Sequence, residues 1–244
     1  MADVEVNKDG PVIEIRLNRP AKKNAITNAM YASIVDGLQT LEEDETLLTG
    51  VLTAEGTDFC AGNDIGDFVS PPEGPPAATG LLDVLPVLTK PLVAAVQGKA
   101  VGIGATVLLH CDLVYVATDL DLRFMFVDIG LTPEAGSTLL LPRLVGRVRA
   151  AEAMLLASPI DAATAVEWGI ANEALESALV RSRAMDAAHA LAAKPPNALR
   201  AAKGLLRGDT DVLAIRVREE LKVFGQMLTG SEFAAAAQRF LKAR

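Results

Sequence analysis

The stretch from Ile129 to Thr138 reads IGLTPEAGST, and its one carboxylate is that of Glu134. Thr132, Pro133 and Glu134 have the pattern of a helix start: a side-chain oxygen for the cap, a proline in the first turn, and an acid near the positive end of the helix dipole. A carboxylate held rigidly beside a pocket can also act as a general base. The stretch alone does not decide between a structural acid and a catalytic one.

Two glycine-containing segments follow apolar runs with strand character. FCAGND covers residues 59–64, and GKAVGIGA covers residues 98–105. Glycines between a strand and a helix let backbone N–H groups point into a cavity without side-chain obstruction. One N–H group from each segment would form an oxyanion hole, whereas the alternative is two tight turns. A dinucleotide-binding fingerprint is excluded, because Val107 stands where its third glycine or alanine belongs.

The other candidates for nucleophilic or metal chemistry are weaker. Cys60 is either a nucleophile or a small buried thiol beside a tight turn. His110 lies in the apolar run VLLHCDLV and has the surroundings of a core histidine, and the second histidine, His189, is distant in sequence. The sequence contains no Gly-x-Ser-x-Gly turn and no acid or histidine cluster with ligand spacing. We therefore expect neither a Ser-His-Asp triad nor a bound metal.

The composition is typical of a globular chain. Its 244 residues are 50% hydrophobic and 22% charged, with a net charge of −8, so a sizeable core is expected and a basic nucleic-acid surface is not. The two cysteines cannot build a disulfide framework. The N-terminal MADVEVNKDG has no signal-peptide pattern, and the apolar runs are too short to span a bilayer. These features predict a cytoplasmic protein with no nucleic-acid or membrane partner.

The elements that position these residues alternate between strand and helix. VEVNKDGPVIEIRLNRP predicts a β-hairpin, and AITNAMYASIVDGLQTLEED predicts a helix capped by Thr27. Buried strands are predicted in LTGVLTAEG, PLVAAVQG and CDLVYVATD, and a mobile surface loop in GDFVSPPEGPPAATG. Helices are predicted in LLDVLPVLTK and from Leu139 onward, including ALESALVRSRAMDAAHALAAK and an all-helical tail from about Pro195. The alternation indicates an α/β fold.

Several ordered motifs together resemble the crotonase family of enoyl-CoA hydratases and isomerases. They are FCAGNDI, AAVQGKAVGIGATVLLHCDLVYV, GLTPEAGSTLLLPRLVGRVRAAEAMLLAS and DAATAVEWGIAN. Within the family the sequence is most similar to the Δ3,Δ2-enoyl-CoA isomerases of the peroxisomal type, which have a similar GND and an acid at the position of Glu134. The resemblance implies a ClpP-like spiral of repeated β-β-α units with two nearly perpendicular sheets.

The resemblance also implies a division of the chain and an oligomeric state. Residues 1–194 would form the spiral core with the acyl-CoA site, and residues 195–244 a helical region that drives assembly into a homotrimer or a dimer of trimers. The tail carries apolar residues at helical spacing, more than a thin surface helix needs. We expect these helices at subunit contacts, and their apolar positions include Leu205, Leu213, Val217, Leu221 and Phe224.

Roles for single residues follow from the same resemblance. The oxyanion hole would use the backbone N–H groups of Asn63, after Gly62, and of Ile103, after Gly102, and Glu134 would be the single base. Backbone groups of two segments, residues 23–25 and 61–65, would line the coenzyme A path. The implied substrate-binding residues are Lys23, Ala25, Ala61, Gly62, Asn63, Asp64, Ile65 and Gly102. No metal or separate cofactor is implied, since coenzyme A is part of the substrate.

The sequence departs from the hydratases of this family, which use two glutamates. The first position is Thr106, and the second falls on Phe126 by counting or on Asp128 by anchoring on IGL. Efficient hydration is therefore not expected. The leading hypothesis is an isomerase that shifts a 3-enoyl-CoA to the conjugated 2-enoyl-CoA. The alternatives are a ring-type or aromatic acyl-CoA isomerase, a weak enoyl-CoA hydratase, and a non-catalytic acyl-CoA-binding protein.

Overall fold

A computed structural model describes residues 2–64, 66–67 and 78–242, with residues 240–242 described by their backbone alone. Ile65, one of the predicted substrate-binding residues, lies outside the described residues. The predicted loop GDFVSPPEGPPAATG also lies largely outside them, and its last three residues, 78–80, already belong to a helix.

Strands of the described chain form two sheets. The large sheet has the order β1-β2-β3-β4-β6-β8, and β5 pairs with β7 in a small one. The first pair is antiparallel, with Asp9 opposite Val12, which confirms the predicted hairpin, and the other pairs are parallel. The strands are β1 (Val4–Asp9), β2 (Val12–Leu17), β3 (Thr49–Ala54), β4 (Leu92–Val96), β5 (Lys99–Val101), β6 (Leu113–Ala117), β7 (Asp121–Arg123) and β8 (Glu173–Leu175).

The helices follow most of the predicted periodic segments. The side chain of Thr27 accepts a hydrogen bond from the Met30 N–H group, which confirms the predicted cap of the first helix. The helices are α1 (Asn28–Glu43), α2 (Ala78–Val84), α3 (Ile103–Thr106), α4 (Ser137–Val145), α5 (Arg147–Leu155), α6 (Ala162–Glu167), α7 (Ser177–Ala192), α8 (Pro196–Arg207), α9 (Thr210–Leu228) and α10 (Ser231–Lys242).

One predicted helix begins later than its sequence suggests. The segment ALESALVRSRAMDAAHALAAK starts at Ala174, yet residues 173–175 form β8, and Tyr115 of β6 lies opposite Glu173. Pairing with an existing sheet edge overrides the local helix preference of these three residues. The prediction of a helix over them is wrong, and α7 starts at Ser177.

The large sheet is covered on both faces, as expected for parallel strands. On one face α7 packs through small side chains, and Ala184 and Ala188 are buried against Val51 and Val93. On the other face α1 contributes buried side chains, among them Leu38, to the main core. The central strands of the large sheet are therefore buried on both faces.

The tail helices pack on the segment of the chain that contains Glu134. A β-carbon built on Gly136 would lie 2.4 Å from Cδ1 of Leu213 and 3.3 Å from Cγ2 of Val217. Leu213 and Val217 are buried within their own chain, so these two apolar positions of the tail pack inside it. Leu205 and Leu206 of α8 are 86% and 89% exposed. Only part of the tail's apolar surface is therefore used inside the chain.

Across the residues that the structure describes, no helix combines the length and the apolar character needed to cross a bilayer.

Candidate active site

The two glycine segments lie side by side. The Cys60 N–H group donates to the Lys99 carbonyl at 2.9 Å, and the Val101 N–H group donates to the Cys60 carbonyl at 2.8 Å. This pairing carries Gly62 and Gly102 to the same place, and a β-carbon built on Gly102 would lie 3.8 Å from the Gly62 Cα atom. Both have positive φ, +93° and +58°, which other residues rarely adopt. Glycine is therefore required at both turns.

The residues that follow these glycines present unused backbone donors. Within the described part of the chain, neither the Asn63 N–H nor the Ile103 N–H has a hydrogen-bond acceptor. Ile103 opens α3, and the first N–H groups of a helix have no intrahelical partner. The Asn63 side chain is held by the Tyr31 hydroxyl, which donates to its Oδ1 atom at 2.6 Å. The two N–H groups predicted for the oxyanion hole are thus free to bind an oxygen.

Glu134 does not start a helix. The predicted cap at Thr132 is wrong, because α4 begins at Ser137, three residues after Glu134. Ala135 and Gly136 have φ of 62° and 70°, so the chain turns through two left-handed residues before the helix. An alanine in this conformation costs roughly 1–2 kcal/mol, which the surrounding contacts must offset.

The Glu134 carboxylate is buried, with 6% of the residue exposed. Burial raises its pKa to about 7, the hydrogen bond from Thr106 lowers it, and the negative charge of Glu220 raises it. The Thr106 hydroxyl donates to Oε1 of Glu134 at 2.6 Å. A carboxyl group with a pKa near 7 can both accept and return a proton at neutral pH.

Glu134 and the two backbone donors belong to one cluster. Thr106 ends the short helix α3 that Ile103 begins, and the Thr106 N–H group donates to the Gly102 carbonyl at 2.9 Å. Thr106, which donates to Glu134, therefore lies about one helical turn from the Ile103 N–H group. Burial raises the pKa of Tyr31, the residue that holds Asn63, and the charge of Glu134 raises it further.

A cavity of about 400 Å³ opens beside the glycine segments. Its lining is mostly aliphatic and aromatic, which suits an acyl chain, and Glu134 is not itself part of the lining. Lys99 and Arg123 also line it, and both bind the Asp121 carboxylate. The other lining residues are Ala61, Gly62, Asn63, Val101, Gly102, Met125, Phe126, Ile129, Leu131, Phe224 and Phe233. Phe224 and Phe233 belong to the tail, the region that the family resemblance implies drives assembly of the oligomer.

The segments predicted to line the coenzyme A path are adjacent. The Ala61 N–H group donates to the Lys23 carbonyl at 2.9 Å, and the Asp64 N–H group donates to the Ile26 carbonyl at 2.9 Å. Lys23 is exposed, and Ala25 is buried. These residues flank Gly62, so the structure brings the predicted binding residues that it describes to one side of the site.

Buried polar groups fix this pair of segments. The Arg19 guanidinium donates to the Ala25 carbonyl at 3.0 Å and to the Asp64 carboxylate at 2.6 Å. The side-chain amide of Asn24 donates to the carbonyl of Asp58 at 2.7 Å. These contacts are independent of the sheet ladders and hold the loop before Asn63 in one conformation.

The remaining candidates have structural surroundings. Cys60 is fully buried, and burial raises its pKa to about 12, which keeps it a thiol. Burial lowers the pKa of His110 to about 4, and its Nε2 atom lies 2.7 Å from the Ala135 carbonyl, to which it must donate. Asp128 is exposed, whereas Phe126 is buried in the cavity wall. The described residues contain no group of three or more side chains suited to a metal ion.

Comparison with known proteins assigns the chain to a family. The sequence profile described as enoyl-CoA hydratase/isomerase matches residues 7–244, nearly the whole chain. The chain belongs to the enoyl-CoA hydratase/isomerase family. This confirms the predicted resemblance to the crotonases, and members of the family act on acyl-CoA thioesters.

Relatives in the enoyl-CoA hydratase/isomerase family include several activities. The chain is 35% identical over 193 residues to 1,2-epoxyphenylacetyl-CoA isomerase of Escherichia coli, covering 75% of this chain and 74% of that protein. It is 32% identical to enoyl-CoA delta isomerase 2 of Rattus norvegicus, covering 88% of this chain and 57% of that protein. Other relatives are a 2,3-dehydroadipyl-CoA hydratase and a 4-chlorobenzoyl coenzyme A dehalogenase.

A solved structure confirms the crotonase fold. The enoyl-CoA hydratase/isomerase from Pseudoalteromonas atlantica superposes with a TM-score of 0.96 at 33% identity, covering 100% of this chain and 98% of that chain. The predicted fold class is therefore correct. The relatives have several different activities, so the reaction of this chain must be inferred from the residues of its own site.

Proposed function

We propose that this protein isomerises a 3-enoyl-CoA to the conjugated 2-enoyl-CoA with Glu134 as the single base. The observation that carries the proposal is one buried carboxylate with a pKa near 7 beside two free backbone N–H groups. A base and an oxyanion hole are what a 1,3-proton transfer next to a thioester requires.

The reaction begins at C2 of the substrate. The thioester carbonyl and the double bond both acidify the C2 proton, because the resulting dienolate places negative charge on the thioester oxygen. Glu134 takes this proton, and the N–H groups of Asn63 and Ile103 stabilise the oxygen. Losing one such donor typically costs about 3–4 kcal/mol of barrier.

The second half of the reaction returns the same proton. Protonated Glu134 delivers it to C4, the C–C double bond re-forms between C2 and C3, and the thioester carbonyl is restored. Nothing is added to or lost from the substrate, so the reaction asks for no metal, water or redox cofactor. The Thr106 hydroxyl keeps the carboxyl group of Glu134 in place through both transfers.

Hydration is disfavoured by the side chains at the hydratase positions. Thr106 cannot move a proton at neutral pH, and Phe126 is an apolar part of the cavity wall. Asp128, the alternative for the second position, is exposed and does not belong to the described lining of the cavity, so we expect no second acid there to hold an attacking water. Weak hydratase activity remains the alternative on the same fold.

A ring-type acyl-CoA isomerase is the second candidate. The aromatic side chains of Phe126, Phe224 and Phe233 in the cavity wall favour a flat ring as well as a linear chain. The similarity to 1,2-epoxyphenylacetyl-CoA isomerase supports the same candidate. The linear and ring-type candidates differ in the acyl group that the cavity binds, and both use Glu134 as the base.

The experiment is a turnover assay on purified protein. Linear 3-enoyl-CoA, 2-enoyl-CoA and a ring-containing acyl-CoA are supplied separately, and conjugation and hydration are followed by separate readouts. We expect conjugation of 3-enoyl-CoA and little hydration of 2-enoyl-CoA. Tight binding without turnover of any substrate would instead indicate a non-catalytic acyl-CoA-binding protein.

A further inference from the structure

A second buried glutamate lies close to the proposed base. Glu220 of α9 is 5% exposed, and its carboxylate accepts the Gly136 N–H group at 2.6 Å and the Thr138 N–H group at 3.0 Å. The Thr138 hydroxyl donates to the same carboxylate. Three donors from one short segment thus converge on one side chain, 82 to 84 residues away in sequence.

This segment is the turn that carries Glu134. Gly136 is the N-cap of α4 and offers no side chain, so the helix has no cap of its own. The Glu220 carboxylate takes the place of that cap from another element. The Ser137 N–H group donates back to the Glu134 carbonyl at 3.1 Å, so the position of the helix start determines the position of the base.

We propose that Glu220 is a positioning residue, which fixes the turn of residues 134–138 and thereby holds the Glu134 carboxyl group at the reacting carbons. The inference rests on the proposed role of Glu134 as the base. The turn has two left-handed residues and is unfavourable without support. His110 supports it at the Ala135 carbonyl, and Glu220 supports it at the N–H groups of Gly136 and Thr138.

Glu220 also acts on the base through its charge. Its negative charge raises the pKa of Glu134, in addition to the larger effect of burial. The other titratable or charged groups around the pair are Tyr31 from α1, His110 after α3 and Arg216 from α9. His110 is neutral at working pH. Burial raises the pKa of Glu220, whereas the hydrogen bonds from Thr138 and Gly136 and the charge of Arg216 lower it, and the Arg216 guanidinium donates to the Thr138 hydroxyl at 3.2 Å.

The Glu220→Gln and Glu220→Asp variants separate position from charge. Glutamine keeps the length of the side chain, but it has one acceptor oxygen and no charge. Aspartate keeps the charge, but it is one methylene too short to reach both N–H groups. The matched control is Asp211→Asn, which removes one negative charge from an exposed residue in the first turn of the same helix.

The activity readout is kcat and KM for 3-enoyl-CoA as a function of pH. Misplacement of the base should lower kcat in both Glu220 variants by about 10- to 100-fold while KM stays within about twofold. The acid limb of kcat/KM should move to lower pH in Glu220→Gln and remain near that of the parent in Glu220→Asp. The Asp211→Asn variant should match the parent in kcat, in KM and in the position of the acid limb.

A second readout needs no substrate. The infrared C=O band of protonated Glu134, isolated by subtraction of Glu134→Gln, reports both the titration of this group and its hydration. In Glu220→Gln the band should disappear at lower pH than in the parent while keeping the frequency of a buried acid. A band at the frequency of a hydrated carboxyl would mean that the site has merely loosened, which contradicts the proposal.

These readouts distinguish the present proposal from the proposed function. If the parent does not isomerise 3-enoyl-CoA but the Glu134 band still titrates lower in Glu220→Gln, the proposed function fails and the coupling of the two residues stands. Unchanged kcat and an unchanged band in both Glu220 variants would overturn the role of Glu220. If Glu220→Gln does not fold, Glu220→Asp decides through the fall of kcat at constant KM.

Discussion

The Thr106 hydroxyl donates to the Glu134 carboxylate at 2.6 Å, at a position where the hydratases of this family have their first glutamate. An acid at position 106 would repel the Glu134 carboxylate. A threonine instead stabilises one carboxylate and cannot transfer a proton itself at neutral pH. This contact is consistent with single-base chemistry.

Replacing Glu134 by glutamine should leave a folded protein that binds acyl-CoA but does not turn it over. Isomerase activity should fall by about 10²- to 10⁴-fold, the usual contribution of a positioned general base. Affinity should change little, because the predicted binding groups belong to the backbone near Ala61 and Asp64. Turnover and ligand affinity are measured on the same preparation.

The control for this variant is Asp128→Asn, since Asp128 is the other acid considered from the sequence and is exposed. It should retain parental turnover. A Glu134→Gln variant with near-parental activity would rule out Glu134 as the base.

Removing the hydroxyl of Thr106 should shift the pH dependence of catalysis. In the parent, kcat/KM should rise with pH through about 7, because Glu134 must be ionised to accept a proton. The Thr106 hydrogen bond lowers the pKa of Glu134, so Thr106→Val should raise that pKa and move the acid limb to higher pH. Thr106→Ser, which keeps the hydroxyl, is the control and should retain the parental profile. An acid limb unmoved in Thr106→Val would contradict the assigned contact.

Burial of Glu134 should make the protein less stable as the pH rises. Its folded-state pKa is raised from 4.5 to about 7, so the native state binds more protons than the unfolded state between these values. The free energy of unfolding should therefore fall over this range by roughly 3 kcal/mol on account of this group, and it should level off above about pH 7. The Glu134→Gln variant lacks this contribution, so its advantage over the parent should grow from pH 4.5 to pH 8. Denaturant unfolding at several pH values measures the difference.

Exposed leucines on α8 should form a contact between subunits. Leu205 and Leu206 are exposed, and we propose that they are covered in a homotrimer or a dimer of trimers. Changing both to glutamate should dissociate the assembly, whereas Leu179→Glu on α7 should not. Light scattering at micromolar concentration gives the mass of each. A monomeric parent would refute the assembly.

Phe224 should limit the size of the acyl group. It lines the cavity from the tail, so Phe224→Ala should enlarge the cavity and raise kcat/KM for long or bulky acyl groups relative to short ones. Val223→Ala, at the exposed neighbouring position, is the control for loss of a side chain on the same helix. An unchanged order of substrates in Phe224→Ala would place the acyl group elsewhere.

Local patterns determined the elements and the two glycine turns. The hairpin of β1 and β2 and the Thr27 cap depend on neighbouring residues, and so they could be predicted from the sequence. Gly62 and Gly102 were recognisable because only glycine tolerates the turns that expose the following N–H groups. The family motifs, taken together, predicted the fold.

The tertiary structure determines which groups surround Glu134. The sequence predicted a helix start at Glu134, but contacts from Glu220 and His110 impose a left-handed turn first. Thr106 is 28 residues from Glu134, and Glu220 is 84 residues from Gly136, separations at which no periodic pattern reports a contact. The pKa of Glu134 depends on burial by several elements at once. The sequence could therefore identify Glu134 as a candidate base, but the burial that raises its pKa arises only in the folded chain.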